Sequence, residues 1–96
     1  MLNLNLQQVN FSHNKIVYLP NEICELPNLI SLRVDDNNLK QIPDDIGQLK
    51  SLRYFTISHN DIKILPEGLG LCKNLVELSL NDNKIEFLHW NVGMSN

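Results

Sequence analysis

The 96-residue sequence contains no alanine and only two cysteines. A helical bundle without a single alanine is improbable, because alanine is the best helix former. Cys24 and Cys72 form no Cys-x-x-Cys pair, so they give neither a zinc signature nor the disulfide framework of small secreted domains. No apolar run approaches the roughly 18 residues of a membrane-spanning segment. These absences predict a cytoplasmic protein with reduced cysteines, no metal site and no membrane span.

Basic residues and catalytic motifs are also scarce. Eight Lys and Arg residues against eleven Asp and Glu residues give a net charge of −3. Nucleic-acid-binding domains normally carry a clustered basic face, so this balance predicts no nucleic-acid partner. The sequence has no Walker loop, no His-Glu-x-x-His and no Gly-x-Ser-x-Gly motif. We therefore expect no enzymatic activity and no cofactor.

Leucine and asparagine, in contrast, are in excess, with 17 and 14 copies. Four asparagines follow one another at a constant 23-residue spacing: Asn14, Asn37, Asn60 and Asn83. Apolar residues recur at seven fixed offsets around each of them and fill 27 of the 28 positions, where the 43% apolar composition predicts about 12. Prolines and glycines keep the same period: Pro20, Pro43, Pro66, Gly47, Gly70 and Gly93. The chain is therefore built from internal repeats.

Each unit reads Leu-x-x-Leu-x-Leu-x-x-Asn-x-Leu-x-x-Leu-Pro-x-x-Ile, a pattern that resembles the leucine-rich repeat family over essentially the whole chain. The 23-residue length is similar to the intracellular type found in Ras-binding scaffolds and Scribble-like polarity proteins. The resemblance implies an α/β solenoid, a right-handed coil with a curved parallel β-sheet on its concave side and irregular or 3₁₀ segments on its convex side. It also implies a protein partner, for which we consider a small GTPase or a phosphatase.

The residues support this fold on their own. Leu-x-Leu alternation is typical of a short strand with one buried face, and four such strands would pair in parallel. Asparagine carries both a donor and an acceptor, so the four periodic asparagines can form a ladder that pairs backbone groups at the turns. The prolines exclude a regular helix interior from the return segments and favour extended or 3₁₀ structure there.

We divide residues 1–96 into four repeats, 6–28, 29–51, 52–74 and an incomplete 75–96. Neither end shows a cap, which solenoids need because each repeat buries its face only against its neighbours. We expect a fragment of a longer array, a truncated product or a cap-less form. Leu88, Trp90 and Val92 would then be exposed on the last repeat, and the uncapped ends would favour self-association.

The outward strand positions are the candidate binding site, because neighbouring strands lie about 4.8 Å apart and align such residues in columns. Tyrosine and arginine are enriched at binding hot spots, so Tyr54 and Arg33 are expected to lead a surface on the concave face. The full predicted set is Arg33, Asp35, Asp36, Arg53, Tyr54, His59, Glu77 and Asp82. The alternative is that this face is simply solvated.

One column reads His13, Asp36, His59, Asp82. A histidine beside a carboxylate can bind zinc, act as a general base or respond to pH. A metal site needs three or four converging ligands, whereas these residues lie in a line, so we predict neither a metal nor catalysis there. Of the cysteines, Cys72 replaces a core leucine, and Cys24 on the return segment is expected to be partly exposed.

The most direct interpretation is a non-catalytic protein–protein interaction module in a signalling scaffold, with the partner on the concave face. An alternative from another class is the recruitment segment of a larger enzyme, such as a deadenylase, a cyclase or a phosphatase, whose catalytic residues lie outside this chain. A third is a degenerate fragment without activity of its own.

Overall fold

Short strands and 3₁₀ helices alternate along the chain in the computed structural model, which describes residues 5–86. Each element begins one 23-residue period after its equivalent: β1 (Gln8–Asn10), η1 (Asn21–Glu25), β2 (Ser31–Arg33), η2 (Asp44–Gln48), β3 (Tyr54–Thr56), η3 (Glu67–Leu71) and β4 (Glu77–Ser79). The strands form one parallel sheet in the order β1-β2-β3-β4. The architecture is an α/β solenoid in which each 3₁₀ helix lies on the return path between two strands. Leu88, Trp90 and Val92 lie outside the described residues.

The core lies between the sheet and the 3₁₀ helices and consists of the periodic apolar residues. Leu32 and Phe55 enter it from the sheet, and Ile46 and Leu69 enter it from the helices, all at most 1% exposed. Residues of this kind are the main source of stability, because the free energy of burial scales with the apolar area removed from water. Within residues 5–86, no helix has the length and apolar character needed to cross a membrane.

Prolines determine where the 3₁₀ helices begin. Pro20, Pro43 and Pro66 each precede one helix, with φ angles of −68°, −56° and −73°. The ring fixes φ near this value and leaves no N–H to be satisfied. In each repeat the amide three positions later donates to the proline carbonyl at 3.1 Å. The prolines therefore start one short 3₁₀ turn per repeat.

A side-chain amide joins neighbouring repeats, as Asn60 shows. Its Nδ2 donates to the carbonyls of Val34 at 2.9 Å, Ile57 at 3.0 Å and Ser58 at 3.2 Å. Its Oδ1 accepts a hydrogen bond from the Leu39 amide at 2.9 Å. One buried side chain therefore bonds backbone groups in its own turn and in the repeat before it, and it is the partner of the buried Leu39 amide, which needs one.

Asn37 and Asn83 repeat this bonding pattern with the equivalent backbone groups one repeat away. Asn14 differs, because it is exposed and its Nδ2 donates within its own turn, to the carbonyls of Phe11 and Ser12. Three of the four periodic asparagines thus bridge repeats in the described part of the chain.

Gly47 allows η2 and η3 to approach closely. A Cβ added to Gly47 would lie 2.6 Å from the carbonyl oxygen of Gly68, and one added to Gly68 would lie 2.6 Å from that of Asp44. Gly70 occupies the same repeat position as Gly47, yet no described atom lies within 4 Å of its added Cβ. The need for glycine at this position therefore comes from contact with the following repeat.

Gly47→Ala and Gly70→Ala test whether contact with the following repeat is what requires glycine at this position. We expect Gly47→Ala to lower the free energy of unfolding by about 1–3 kcal/mol, because overpacking displaces backbone. Gly70→Ala should leave it unchanged or raise it by about 0.5 kcal/mol, since alanine restricts the unfolded chain. Urea unfolding followed by circular dichroism measures both. Equal losses would show that the local backbone, and not the next repeat, requires glycine.

Asn60→Ala and Asn14→Ala form a second matched pair. Asn60→Ala leaves the buried Leu39 amide without its partner, at about 1–3 kcal/mol for an unsatisfied group, and removes one of the two hydrogen bonds to each carbonyl. We expect Asn60→Ala to cost at least about 2 kcal/mol of unfolding free energy and Asn14→Ala less than about 1 kcal/mol. Chemical denaturation under identical conditions gives the two values. Comparable losses would contradict a specific bridging role for Asn60.

Candidate protein-binding site

The candidate site is the solvent side of the parallel sheet. Successive strand residues point to opposite sides, so the neighbours of the core-facing strand residues point outward. The in-register pairing aligns them in two rows. We call these residues the sheet face: Gln8, Ser31, Tyr54 and Glu77 in one row and Asn10, Arg33, Thr56 and Ser79 in the other.

Three of the predicted binding residues, Arg33, Tyr54 and Glu77, lie on the sheet face. Arg33 and Tyr54 are half-buried on adjacent strands, while Glu77 is exposed on the next strand. Between them lie two small hydroxyl side chains, Ser31 and Thr56, which are only 9% and 3% exposed. The face therefore combines an aromatic ring and a guanidinium group with a low floor of small residues.

Asp35, also in the predicted set, has its carboxylate engaged by the next repeat. Its Oδ1 accepts a hydrogen bond from the Ser58 amide at 2.7 Å, and its Oδ2 accepts one from the Thr56 hydroxyl at 2.9 Å. One repeat earlier, the Ser12 hydroxyl accepts from the Asp35 amide at 3.0 Å. This position thus forms a second set of bonds between repeats, and Asp35 orients β3 and its following turn.

The column His13, Asp36, His59 and Asp82 has left-handed backbone, with φ angles of 64°, 56°, 59° and 58°. Among non-glycine residues, Asn, Asp and His are enriched in this region. The occurrence of only His and Asp at this position was therefore a sequence signal for left-handed backbone, and the sequence analysis missed it.

Histidine and aspartate side chains of this column lie close together in neighbouring repeats. Nδ1 of His13 lies 2.9 Å from Oδ2 of Asp36, and the equivalent His59–Asp82 distance is 3.3 Å. No cluster of three or more metal-ligating residues occurs within residues 5–86.

Arg53 lies beside the sheet face and not on it. It is two positions before the inward-facing Phe55, and residues two apart in an extended chain point to the same side. It precedes β3 and lines an open groove of about 190 Å³ together with Gln7, Ile30 and Ser51. Its carbonyl accepts hydrogen bonds from two amides of the next repeat. The predicted residues therefore divide among the sheet face, the left-handed column, the Asp35 position and this separate groove.

Both cysteines are buried, which corrects the expectation that Cys24 is partly exposed. Cys24 is 3% exposed and Cys72 is 5% exposed. Cys24 is covered because η1 packs against η2. Burial, together with a smaller effect of the nearby Asp45 carboxylate, raises the pKa of the Cys24 thiol to about 11. Burial also raises the pKa of Cys72, whose Sγ donates to the Ile46 carbonyl at 3.3 Å. Both are free thiols.

The raised thiol pKa predicts slow alkylation, because the thiolate is the reactive form. At pH 8 we expect iodoacetamide to modify Cys24 at least roughly 100-fold more slowly in the folded protein than in urea, a factor that corresponds to about two pKa units. Intact-mass spectrometry of the wild type and of Cys72→Ser follows the reaction. Equal rates with and without urea would contradict burial of Cys24.

The raised pKa of Cys24 also predicts the direction in which the free energy of unfolding changes at high pH. Between the ordinary thiol pKa of 9.0 and about 11, the folded Cys24 thiol keeps its proton while the unfolded one loses it. The unfolded state then binds fewer protons, so stability falls as pH rises through this window. Cys24→Ser should flatten this part of the pH dependence of the urea midpoint.

The geometry defines a class of protein, a repeat solenoid with one parallel strand per turn, and comparison with known proteins gives the family. The leucine-rich-repeat family models match residues 27–85 and 5–26. A solved leucine-rich-repeat protein of Leptospira interrogans is similar, with 35% identity and a TM-score of 0.82 over 83% of this chain and 20% of that chain. No curated protein matches. The chain belongs to the leucine-rich-repeat family, which confirms the predicted fold class, and it spans about a fifth of that structure's length.

Proposed function

We propose that this chain is a non-catalytic module that binds a protein partner across the sheet face. Leucine-rich repeats generally mediate protein–protein interaction. The observation that carries the choice of face is the pair Tyr54 and Arg33, which lie on adjacent strands beside the small, buried Ser31 and Thr56. Tyrosine and arginine are the residue types most enriched at binding hot spots, next to tryptophan.

Preorganisation supports this assignment. The strands that present Tyr54 and Arg33 are held in register by parallel pairing and by the bonds of Asn37, Asn60 and Asp35 to neighbouring repeats. Binding loses less conformational entropy when the backbone beneath the contact residues is already fixed. A rigid sheet therefore favours a partner that presents a folded surface of complementary shape.

The charges around the sheet face favour a polar partner of mixed charge. Arg33 supplies a cation and Glu77 an anion on the sheet face, and Asp36 and Asp82 supply anions in the turns that follow β2 and β4. Charges at the rim of an interface contribute more to partner choice and association rate than to affinity. We include a small GTPase and a phosphatase as candidate partners, and we expect no nucleic acid to bind this face.

We further propose that the module works in a cytoplasmic signalling scaffold of the Ras-binding or Scribble-like type. The 23-residue repeat supports this subtype, and the two free cysteines support a reducing compartment.

A recruitment segment of a larger enzyme is the second candidate. The similar Leptospira interrogans structure is several times longer than the matched region, so repeats of this kind do occur within longer chains. In a deadenylase, a cyclase or a phosphatase, the sheet face would recruit the substrate or a regulator, and catalysis would belong to another domain. Sequencing the full transcript distinguishes this candidate from a free-standing module.

Affinity purification with a matched control tests the sheet face. The bait variants are Arg33→Ala/Tyr54→Ala and Lys50→Ala/Lys73→Ala, the second pair being exposed and outside the sheet face. Loss of one hot-spot side chain, at about 2 kcal/mol, weakens binding roughly 30-fold, so loss of both should weaken a sheet-face partner by more than that. The lysine pair should keep that partner. Identical partner lists for wild type and the Arg33/Tyr54 variant would refute the assignment, provided that circular dichroism shows both to be folded.

A further inference from the structure

The charges of this chain are segregated around the solenoid. Four of the six lysines lie one or three positions after the periodic asparagines, on a flank that follows the left-handed column: Lys15, Lys40, Lys63 and Lys84. Two carboxylates, Asp61 and Glu86, occupy equivalent positions. Four cations against two anions give these two repeat positions a charge of +2, although the whole chain carries −3.

We propose that the lysine flank is a second binding surface and that it takes an extended acidic segment of a partner protein. The centre of this surface is an open groove of about 340 Å³ between the second and third repeats, lined by Lys40, Lys63 and Ile64 among others. Ile42 and Pro66 also line the groove. The surface is separate from the sheet face, so the two can be occupied together.

The two groove lysines are available to an external anion. Nζ of Lys40 lies 3.9 Å from Oδ2 of Asp61. The other carboxylate oxygen of Asp61, Oδ1, lies closer to a lysine, 3.2 Å from Nζ of Lys84. Lys63 makes no ion pair with any described residue, and both groove lysines are exposed. Ion pairs at the surface are weak, so Lys40 can exchange Asp61 for another carboxylate at little cost.

The spacing of the groove lysines suits an extended peptide. Lys40 and Lys63 occupy equivalent positions in adjacent repeats, and backbone hydrogen bonds join neighbouring repeats at this level. In an extended segment, carboxylates on one side recur about every 6.6 Å, which two flexible lysine side chains can span. Ile64, 46% exposed, gives one apolar contact beside them. The groove therefore fits an acidic sequence that contains an apolar side chain.

Charge complementarity indicates the occupant of the groove. Residues 1–4 and 87–96 contain no Asp or Glu and so bring no acidic side chain to it. The acidic residues of the 3₁₀ helices lie on this same rigid body, and only one of them, Asp44, lines the groove. Charge complementarity thus favours an acidic partner segment.

An NMR titration with a defined peptide tests the proposal. The probe is Asp-Glu-Leu-Asp-Glu with blocked ends, added to the ¹⁵N-labelled chain at low salt. We expect saturable shifts of the amides at positions 40–42 and 63–64, and an affinity that falls as salt is added. Shifts confined to the sheet face, or shifts that scatter without saturating, would overturn the proposal.

A charge-matched pair of variants gives the control. Lys40→Glu/Lys63→Glu should weaken the peptide about tenfold or more, because two attractions become repulsions. Lys50→Glu/Lys73→Glu makes the same change of charge at two exposed lysines that are also one repeat apart, and it should change the affinity by less than about twofold. If both double variants weakened peptide binding equally, the loss of affinity would come from the change in net charge alone, and the proposed site would be refuted.

Three further measurements test the apolar contact and separate two other occupants, a membrane surface and a second copy. Ile64→Ser should weaken this probe but not Asp-Glu-Gly-Asp-Glu, and equal effects on both peptides would remove the apolar contact. Binding to phosphatidylserine vesicles without binding to the peptide would assign the flank to a membrane surface. A dimer in sedimentation equilibrium that Lys40→Glu/Lys63→Glu abolishes would assign it to a second copy. Either result would overturn the acidic-segment proposal.

Discussion

The side-chain amide of each bridging asparagine forms hydrogen bonds with backbone groups of two repeats at once. The alignment of neighbouring repeats depends on these bonds. In Asn60 one side chain serves the Leu39 amide and the Val34 carbonyl of the previous repeat together with carbonyls of its own turn. Buried backbone groups without partners are costly, so a neighbouring repeat that slipped in register would lose several bonds together. The strands are therefore fixed side by side, and the rows of the sheet face follow from that alignment.

A second position adds to the same alignment and limits which outward residues are free to bind. Asp35 looks like a surface carboxylate in the sequence, but the Ser58 amide and the Thr56 hydroxyl orient it. The left-handed column before the asparagines is restricted by its φ angle. Tyr54 and Arg33 lie outside both constraints, because their backbone is ordinary strand and their side chains form no hydrogen bond or ion pair with any residue of 5–86. Substitution at these two positions can therefore change the proposed contact surface without loss of the fold.

The fold could be predicted from the sequence because each of its constraints recurs once in every repeat. The buried apolar residues, the prolines before η1, η2 and η3 and the bridging asparagines all belong to one repeating pattern. The burial of Cys24 could not be predicted in this way, because it depends on how closely η2 packs against η1. The requirement for Gly47 likewise depends on the carbonyl of Gly68 in the following repeat. Contacts between repeats determine these features, and a pattern within one repeat does not contain them.

The two proposed binding surfaces were only partly predictable, for a related reason. Successive residues of an extended chain point to opposite sides, so Tyr54 lies on the sheet face and Arg53, just before β3, lies beside it. Net charge is an average over the whole surface, and the value of −3 says nothing about how the charges are distributed. The repeat geometry converts lysines that lie one repeat apart in the sequence into neighbours, so an acidic chain can still present a locally basic flank. A solenoid of this kind can therefore offer surfaces of different charge on different sides of one coil.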